Sequence, residues 1–215
     1  MAPRPVLTGY THSVYTRVAR IALAEKQVAY DTAEHDPFAA TGAENPHPFG
    51  RVPVLRHGRF EVYETAAITG YVDTAFEGPA LMPTEPQALA RATQVIAMVD
   101  AYVYWPLVRQ VYSHAVFRPA MGEAVDAAVL QDGLAAAPAV LSALEAVAGE
   151  GLVLSDAFGR AECHLAAMMA AFVQAEAGAA MLARSPELAR WWAGAAKRPS
   201  VVATQTPLPT AGNHD

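Results

Sequence analysis

The sequence predicts an α/β unit followed by an all-α unit, and three observations carry that expectation. Over the first 77 residues short apolar runs alternate with helical patterns. Beyond residue 88 the strand signal disappears and apolar residues recur only at helical spacing. Between the two, Glu77-Gly78-Pro79-Ala80-Leu81-Met82-Pro83-Thr84-Glu85-Pro86 holds three prolines and a glycine, which break helix and sheet alike. The expected organisation is a domain over 1–77, a linker over 78–88, an all-helical domain over 89–204 and a flexible tail over 205–215.

In the first unit Val6-Leu7 begins a strand, and Val14, Val18, Ile21 and Ala22 mark one face of a helix. Val28-Ala29-Tyr30 reads as a second strand. An irregular stretch rich in Pro, Gly and Asn follows over 36–50. Val52 to Leu55 and Phe60 to Tyr63 then form a hairpin around His57-Gly58, and Thr65 to Phe76 supplies a helix. In the second unit Leu89, Ile96, Val99 and Val103 suit one face of a long helix that Pro106 should bend. Leu130, Leu134, Ala137, Leu141 and Leu144 mark another, with Pro138 inside it. Ser185-Pro186-Glu187 is a helix start that combines a capping hydroxyl, a proline at the first position and an early acid, and this helix stops before Pro199. Cys163 to Phe172 is apolar on every face, as the central helix of a bundle would be.

A chain of 215 residues with 53% hydrophobic and 17% charged content can bury a substantial core and is unlike a disordered chain. Its net charge of −6, with no basic stripe, argues against nucleic acid as a partner. The start is too polar for a secretory signal, and the apolar stretch 165–182 carries Gln174 and Glu176, which weakens a membrane reading. Cys163 is the only cysteine, which fits a reducing, cytoplasmic setting. The seven histidines are scattered without ligand spacing, so no metal is expected.

The most informative segment is Arg51-Val52-Pro53-Val54-Leu55, a turn, an apolar run, and Glu64-Thr65 opening a helix. It places an exposed backbone edge beside a proline, and a helix N-terminus suited to a carboxylate nearby. Ser13 to Lys26 resembles the first loop and helix of serine-type glutathione S-transferases, and Asn45 to Pro53 followed by Tyr63 to Ile68 resembles their glutathione-binding segment. Phe158 to Phe172 resembles the start of the central helix in their second domain, and Trp191-Trp192 with Arg198-Pro199-Ser200 resembles their ending. The chain is thereby identified as similar to phi/theta-like bacterial members of that family. The family has a Ser or Thr cap and an Asp three residues on, where this chain has Gly159 and Glu162. A Gly cap costs only a few tenths of a kcal/mol, and Glu162 can still reach the Gly159 N–H.

The resemblance implies a thioredoxin-like N-terminal domain followed by a C-terminal all-helical bundle domain, with glutathione as co-substrate and a small hydrophobic electrophile as acceptor. It implies Ser13 as the catalytic hydroxyl, donating to the thiolate, with Tyr10, Thr11 and Thr16 as rival donors. A free thiol has a pKa of ~8.5, and lowering it by about two units takes roughly 2.7 kcal/mol. A hydrogen bond to a charged group supplies ~1.5–3 kcal/mol and a helix N-terminus ~0.3–1 kcal/mol, so one hydroxyl with modest help from Arg17 suffices. A cis bond before Pro53 would free the Val52 N–H and C=O for the cysteinyl part of glutathione. Glu64 and Thr65 match residues that hold the γ-glutamyl end, and Arg51 and His47 are candidates for the glycyl carboxylate. Tyr102, Trp105, Arg109, Tyr112 and Phe117 are candidate walls of the acceptor pocket, Asp100 is a candidate to approach a partner subunit's glutathione as a comparable acid does in some relatives, and a homodimer is the family habit. Peroxide reduction, dehalogenation and isomerisation use the same cofactor, and a non-catalytic binding protein would keep the same fold.

Overall fold

A parallel strand pair needs a crossover, and the first helix supplies it. The computed structural model describes residues 3–39 and 45–209, so part of the 36–50 stretch and the end of the 205–215 tail lie outside the described residues. Strand β1 (Val6–Gly9), helix α1 (Val14–Glu25) and strand β2 (Asp31–Glu34) form the crossover unit. Strands β3 (Val54–His57) and β4 (Phe60–Tyr63) form a hairpin that leads into α2 (Thr65–Ala75). The sheet order is β2-β1-β3-β4, with β1 and β2 parallel and the other pairs antiparallel. Leu7 and Leu55 from the sheet are buried with Val18 and Ile21 of α1 and Ile68 and Val72 of α2.

Two strands differ from expectation. Val28 is not in β2, because it closes α1. Gln27 adopts a φ of 56°, the Gln27 N–H bonds to Ala24 C=O at 3.0 Å, and the Val28 N–H bonds to Leu23 C=O at 2.9 Å. This paired terminal motif normally uses glycine, so Gln27 hides it from a sequence reader. The hairpin is shifted as well. Pro53 has no N–H to give, β3 starts at Val54, and the turn is Gly58-Arg59, with Gly58 at a φ of 63°.

The helical half begins with α3 (Pro86–Met98), inside the stretch expected as linker, because the Glu85 side chain accepts the Ala88 N–H at 2.8 Å. It continues into a π-helical segment (Val99–Phe117) that contains Pro106, then α4 (Arg118–Ala120). Leu89 is 41% exposed, and Ala88 and Ala92 hold the buried face instead. Helix α5 (Ala127–Gly149) runs through Pro138, which faces outward. This 23-residue helix is long and apolar enough to cross a membrane by length and composition alone. Its exposed face is largely alanine, whose methyl groups raise the mean hydropathy with little bulk.

Helix α6 (Arg160–Phe172) is buried on nearly every face, as expected of a central helix. It is followed by α7 (Glu176–Leu182), α8 (Pro186–Ala195) and α9 (Pro199–Ala203). Glu162 accepts the Gly159 N–H at 2.8 Å and, with its other oxygen, the Leu154 N–H at 2.8 Å. Gly159 is required rather than tolerated, since a Cβ there would lie 2.3 Å from Leu81 C=O. The cap of α8 also differs from the local reading: Ser185 makes no capping bond, and the Glu145 carboxylate takes the N–H groups of Glu187 at 3.0 Å and Leu188 at 2.8 Å.

The two halves are fastened by polar contacts. Glu25 at the end of α1 receives Arg198 through two 2.7 Å bonds and also accepts the Ser200 hydroxyl. Arg160 of α6 donates to Ala66 C=O at 2.7 Å, and His164 lies 3.1 Å from the Thr69 hydroxyl, so α6 braces the first turns of α2.

Candidate functional site

Strand register brings the expected site segments together. Thr8 pairs with Val54, and Val54 with Tyr63, so these three residues form one row across the sheet. Just past that row β1 leads to Ser13, β3 is entered from Pro53, and β4 leaves toward Glu64. Residues far apart in the sequence therefore emerge at one end of the sheet.

Ser13 precedes α1 with extended backbone (φ −74°, ψ 123°), and its hydroxyl oxygen accepts the Thr16 N–H at 3.2 Å. Among the described residues that hydroxyl donates to nothing, so its proton is uncommitted. The rivals are placed differently. The Thr11 hydroxyl donates to Glu34 at 2.6 Å, and Thr16 is buried against Gly9. The Tyr10 ring sits edge-on to His12 and Phe38, and burial raises its hydroxyl pKa. Arg17 donates to Val201 C=O at 3.0 Å, and burial pushes its pKa down to about 10.

The bond between Val52 and Pro53 is cis. Among the described residues neither the N–H nor the C=O of Val52 is paired with another backbone group. The preceding loop is tied to itself: the Asn45 amide donates to Arg51 C=O at 3.1 Å, and the Asn45 side chain accepts the His47 N–H at 2.9 Å. His47 is buried beneath Tyr63, with ring centroids 4.9 Å apart. Its Nδ1 accepts the Phe49 N–H at 3.1 Å, which places the proton of the neutral ring on Nε2, 3.8 Å from Glu64. Burial lowers the His47 pKa, opposed by Glu64, so the ring is neutral at pH 7. Arg51 is exposed beside this loop.

Glu64 has a φ of 65°, which few non-glycine residues adopt, and a cost of about 1 kcal/mol or more is typical of such sites. This conformation turns the chain sharply from β4 into α2. No side chain caps α2, so its first N–H groups are left facing outward beside the buried Thr65. The sequence gives no local sign of this backbone.

On the facing helix the structure separates the expected pocket residues. Tyr112 lies 6.1 Å from Phe117, and Phe117 lies 5.6 Å from His12, between centroids. Arg109 stacks over Phe38 at 5.9 Å. Tyr102 and Trp105 are 66% and 60% exposed and join none of these rings. Tyr104, which the helical spacing had not singled out, packs against Tyr15 at 4.8 Å. Burial raises the Tyr15 pKa, and the nearby Asp100 carboxylate raises it further. Burial likewise raises the Asp100 carboxyl. Among the described residues no cluster of three or more His, Cys, Asp or Glu side chains is assembled for a metal.

The chain thus combines a thioredoxin-like domain and a helical bundle, with a cis-proline loop, a hydroxyl-capped first helix and an uncapped second helix at one sheet end. Residues 7–80 match the glutathione S-transferase N-terminal domain. A glutathione S-transferase of Silene vulgaris is 29% identical over 167 residues, covering 73% of this chain and 76% of that protein. One of Pseudomonas putida is 26% identical over 201 residues, covering 86% and 89%. The structure of glutathione S-transferase III superposes with a TM-score of 0.82 at 24% identity, covering 96% of this chain and all of that one. Over residues 7–80 the chain matches the N-terminal domain of the glutathione S-transferase family, and over most of its length it is similar to members of that family.

Proposed function

We propose that this protein activates the thiol of glutathione for attack on a small hydrophobic electrophile, with Ser13 as the donor to the thiolate. The observation that carries this reading is the uncommitted Ser13 proton at the same sheet end as the free Val52 backbone and the uncapped α2. The Val52 N–H and C=O pair with the cysteinyl main chain. Glu64 receives the γ-glutamyl ammonium, Thr65 and the α2 N-terminus receive its carboxylate, and Arg51 with the Nε2–H of His47 faces the glycyl carboxylate. With the tripeptide so held, Ser13 donates to the sulfur anion and stabilises it relative to the thiol. For a chloroaromatic acceptor the thiol proton passes to solvent, the sulfur lone pair forms the C–S bond, and chloride leaves with the C–Cl pair.

We read the protein as a cytoplasmic homodimer, as is usual in the family, with exposed Phe49, Tyr102 and Trp105 offered to the partner. Sedimentation of Trp105→Ala tests this, with a shift toward monomer expected. The functional reading is tested by thermal denaturation with glutathione. At 100 times its dissociation constant, a ligand of the native state stabilises it by about 2.7 kcal/mol. No shift at millimolar glutathione would contradict the proposal.

A further inference from the structure

Arg109 is an exposed cation of the π-helical segment that reaches the Phe38 ring, and among the described residues it forms no ion pair and no hydrogen bond. In a chain of net charge −6 this is notable, because carboxylates are in excess. Among the described residues its one directional contact is with the face of the Phe38 ring, 5.9 Å from Cζ to the centroid, and its N–H groups have no acceptor there. Phe38 in turn meets Tyr10, and Tyr10 meets His12 next to Ser13, so Arg109 is joined to the Ser13 loop through a run of rings. Arg109 is also close enough to Tyr104, the ring that packs on Tyr15 in the first turn of α1, for its charge to act on that hydroxyl.

The acids in this neighbourhood are already engaged. Asp36 accepts the Phe38 N–H at 2.9 Å, Glu34 holds Thr11 through both oxygens, and Glu123 pairs with Arg118 at 3.2 Å. Arg51, which also forms no side-chain ion pair among the described residues, is assigned above to glutathione, so Arg109 is the cation we consider for the second substrate.

We infer that Arg109 forms an anion subsite of the acceptor pocket, and that the preferred acceptors are flat aromatic electrophiles carrying a carboxylate or similar anionic group. This rests on the transferase reading and narrows it. The ring of the acceptor lies among Tyr10, His12, Phe38 and Phe117, and its anionic substituent reaches the open N–H edge of Arg109. A planar guanidinium matches a carboxylate with two parallel bonds, which a neutral pocket wall cannot offer.

Steady-state conjugation of glutathione to chlorodinitrobenzene and to its carboxylate, chlorodinitrobenzoate, tests the inference, with each kcat/KM divided by the rate constant for the uncatalysed reaction. Wild type should favour the benzoate by about five- to tenfold, as expected for one partly exposed charge contact, and added salt should shrink the preference. Arg109→Gln should abolish the preference through KM of the benzoate, and Arg109→Lys should keep part of it. Turnover of both acceptors without preference, or a preference that survives in Arg109→Gln, overturns the subsite while leaving the transferase reading intact. No turnover of either, together with no thermal shift by glutathione, overturns both.

Discussion

The Ser13 hydroxyl oxygen accepts the Thr16 N–H at 3.2 Å and leaves its own proton free. Capping a helix and donating to an anion are thus compatible tasks for one hydroxyl, since the first uses a lone pair and the second uses the O–H. The cap holds the Ser13 oxygen at the start of α1, so the donor atom is in place before any ligand arrives, while its O–H turns to meet an acceptor.

Glu25 is the most consequential polar residue outside the site. Its carboxylate is 8% exposed and takes both Arg198 and Ser200. Glu25→Ala leaves Arg198 partly buried without its anion, and should cost about 2–3 kcal/mol. Urea unfolding measures this, and a double-mutant cycle with Arg198→Ala should show strong coupling.

Gly159→Ala should destabilise by about 1–3 kcal/mol or more, because the new Cβ would sit 2.3 Å from a backbone carbonyl that cannot easily yield. The same comparison of urea midpoints decides it. A neutral effect would mean that Leu81 moves freely.

Glu64→Gly separates stability from function. Relief of a φ of 65° should leave stability unchanged or raise it by up to about 1 kcal/mol, while the loss of the carboxylate raises KM for glutathione. Denaturation and initial-rate kinetics on the same preparation read both effects.

His164 should govern part of the acid limb of stability. Burial, with help from Arg160, lowers its pKa from 6.5 to about 3. Acidification therefore protonates the unfolded chain first. The contribution of this residue is intact above pH 6.5 and is lost as pH falls toward 3, at up to about 1.4 kcal/mol per pH unit. His164→Gln should flatten the limb by up to one proton, seen in unfolding free energies across that range.

The parts that were legible in the sequence are those written in local pattern. The α1 face, the cap residue Ser13, the helix opening at Thr65 and the wholly apolar α6 all follow from spacing and residue type. What escaped depends on distant partners or on backbone shape. Glu145 caps a helix over forty residues away in the chain, Gln27 takes a conformation usually given to glycine, and Glu64 does the same with no glycine to signal it. Spacing singled out neither Tyr15 nor Tyr104, and only the packing of α1 against the π-helical segment brings their rings together. The free Val52 edge was legible through resemblance, because neither a cis bond nor an unpaired backbone group leaves a mark on periodicity.

The thiol pKa of bound glutathione, read from thiolate absorbance across pH in wild type and Ser13→Ala, bears most directly on the central claim. With one charge-assisted hydrogen bond removed, that pKa should rise by about 1–2 units, and conjugation at neutral pH should fall about ten- to a hundredfold with glutathione affinity preserved. An unchanged thiol pKa in Ser13→Ala would contradict the assignment of Ser13 as the group that holds the anion.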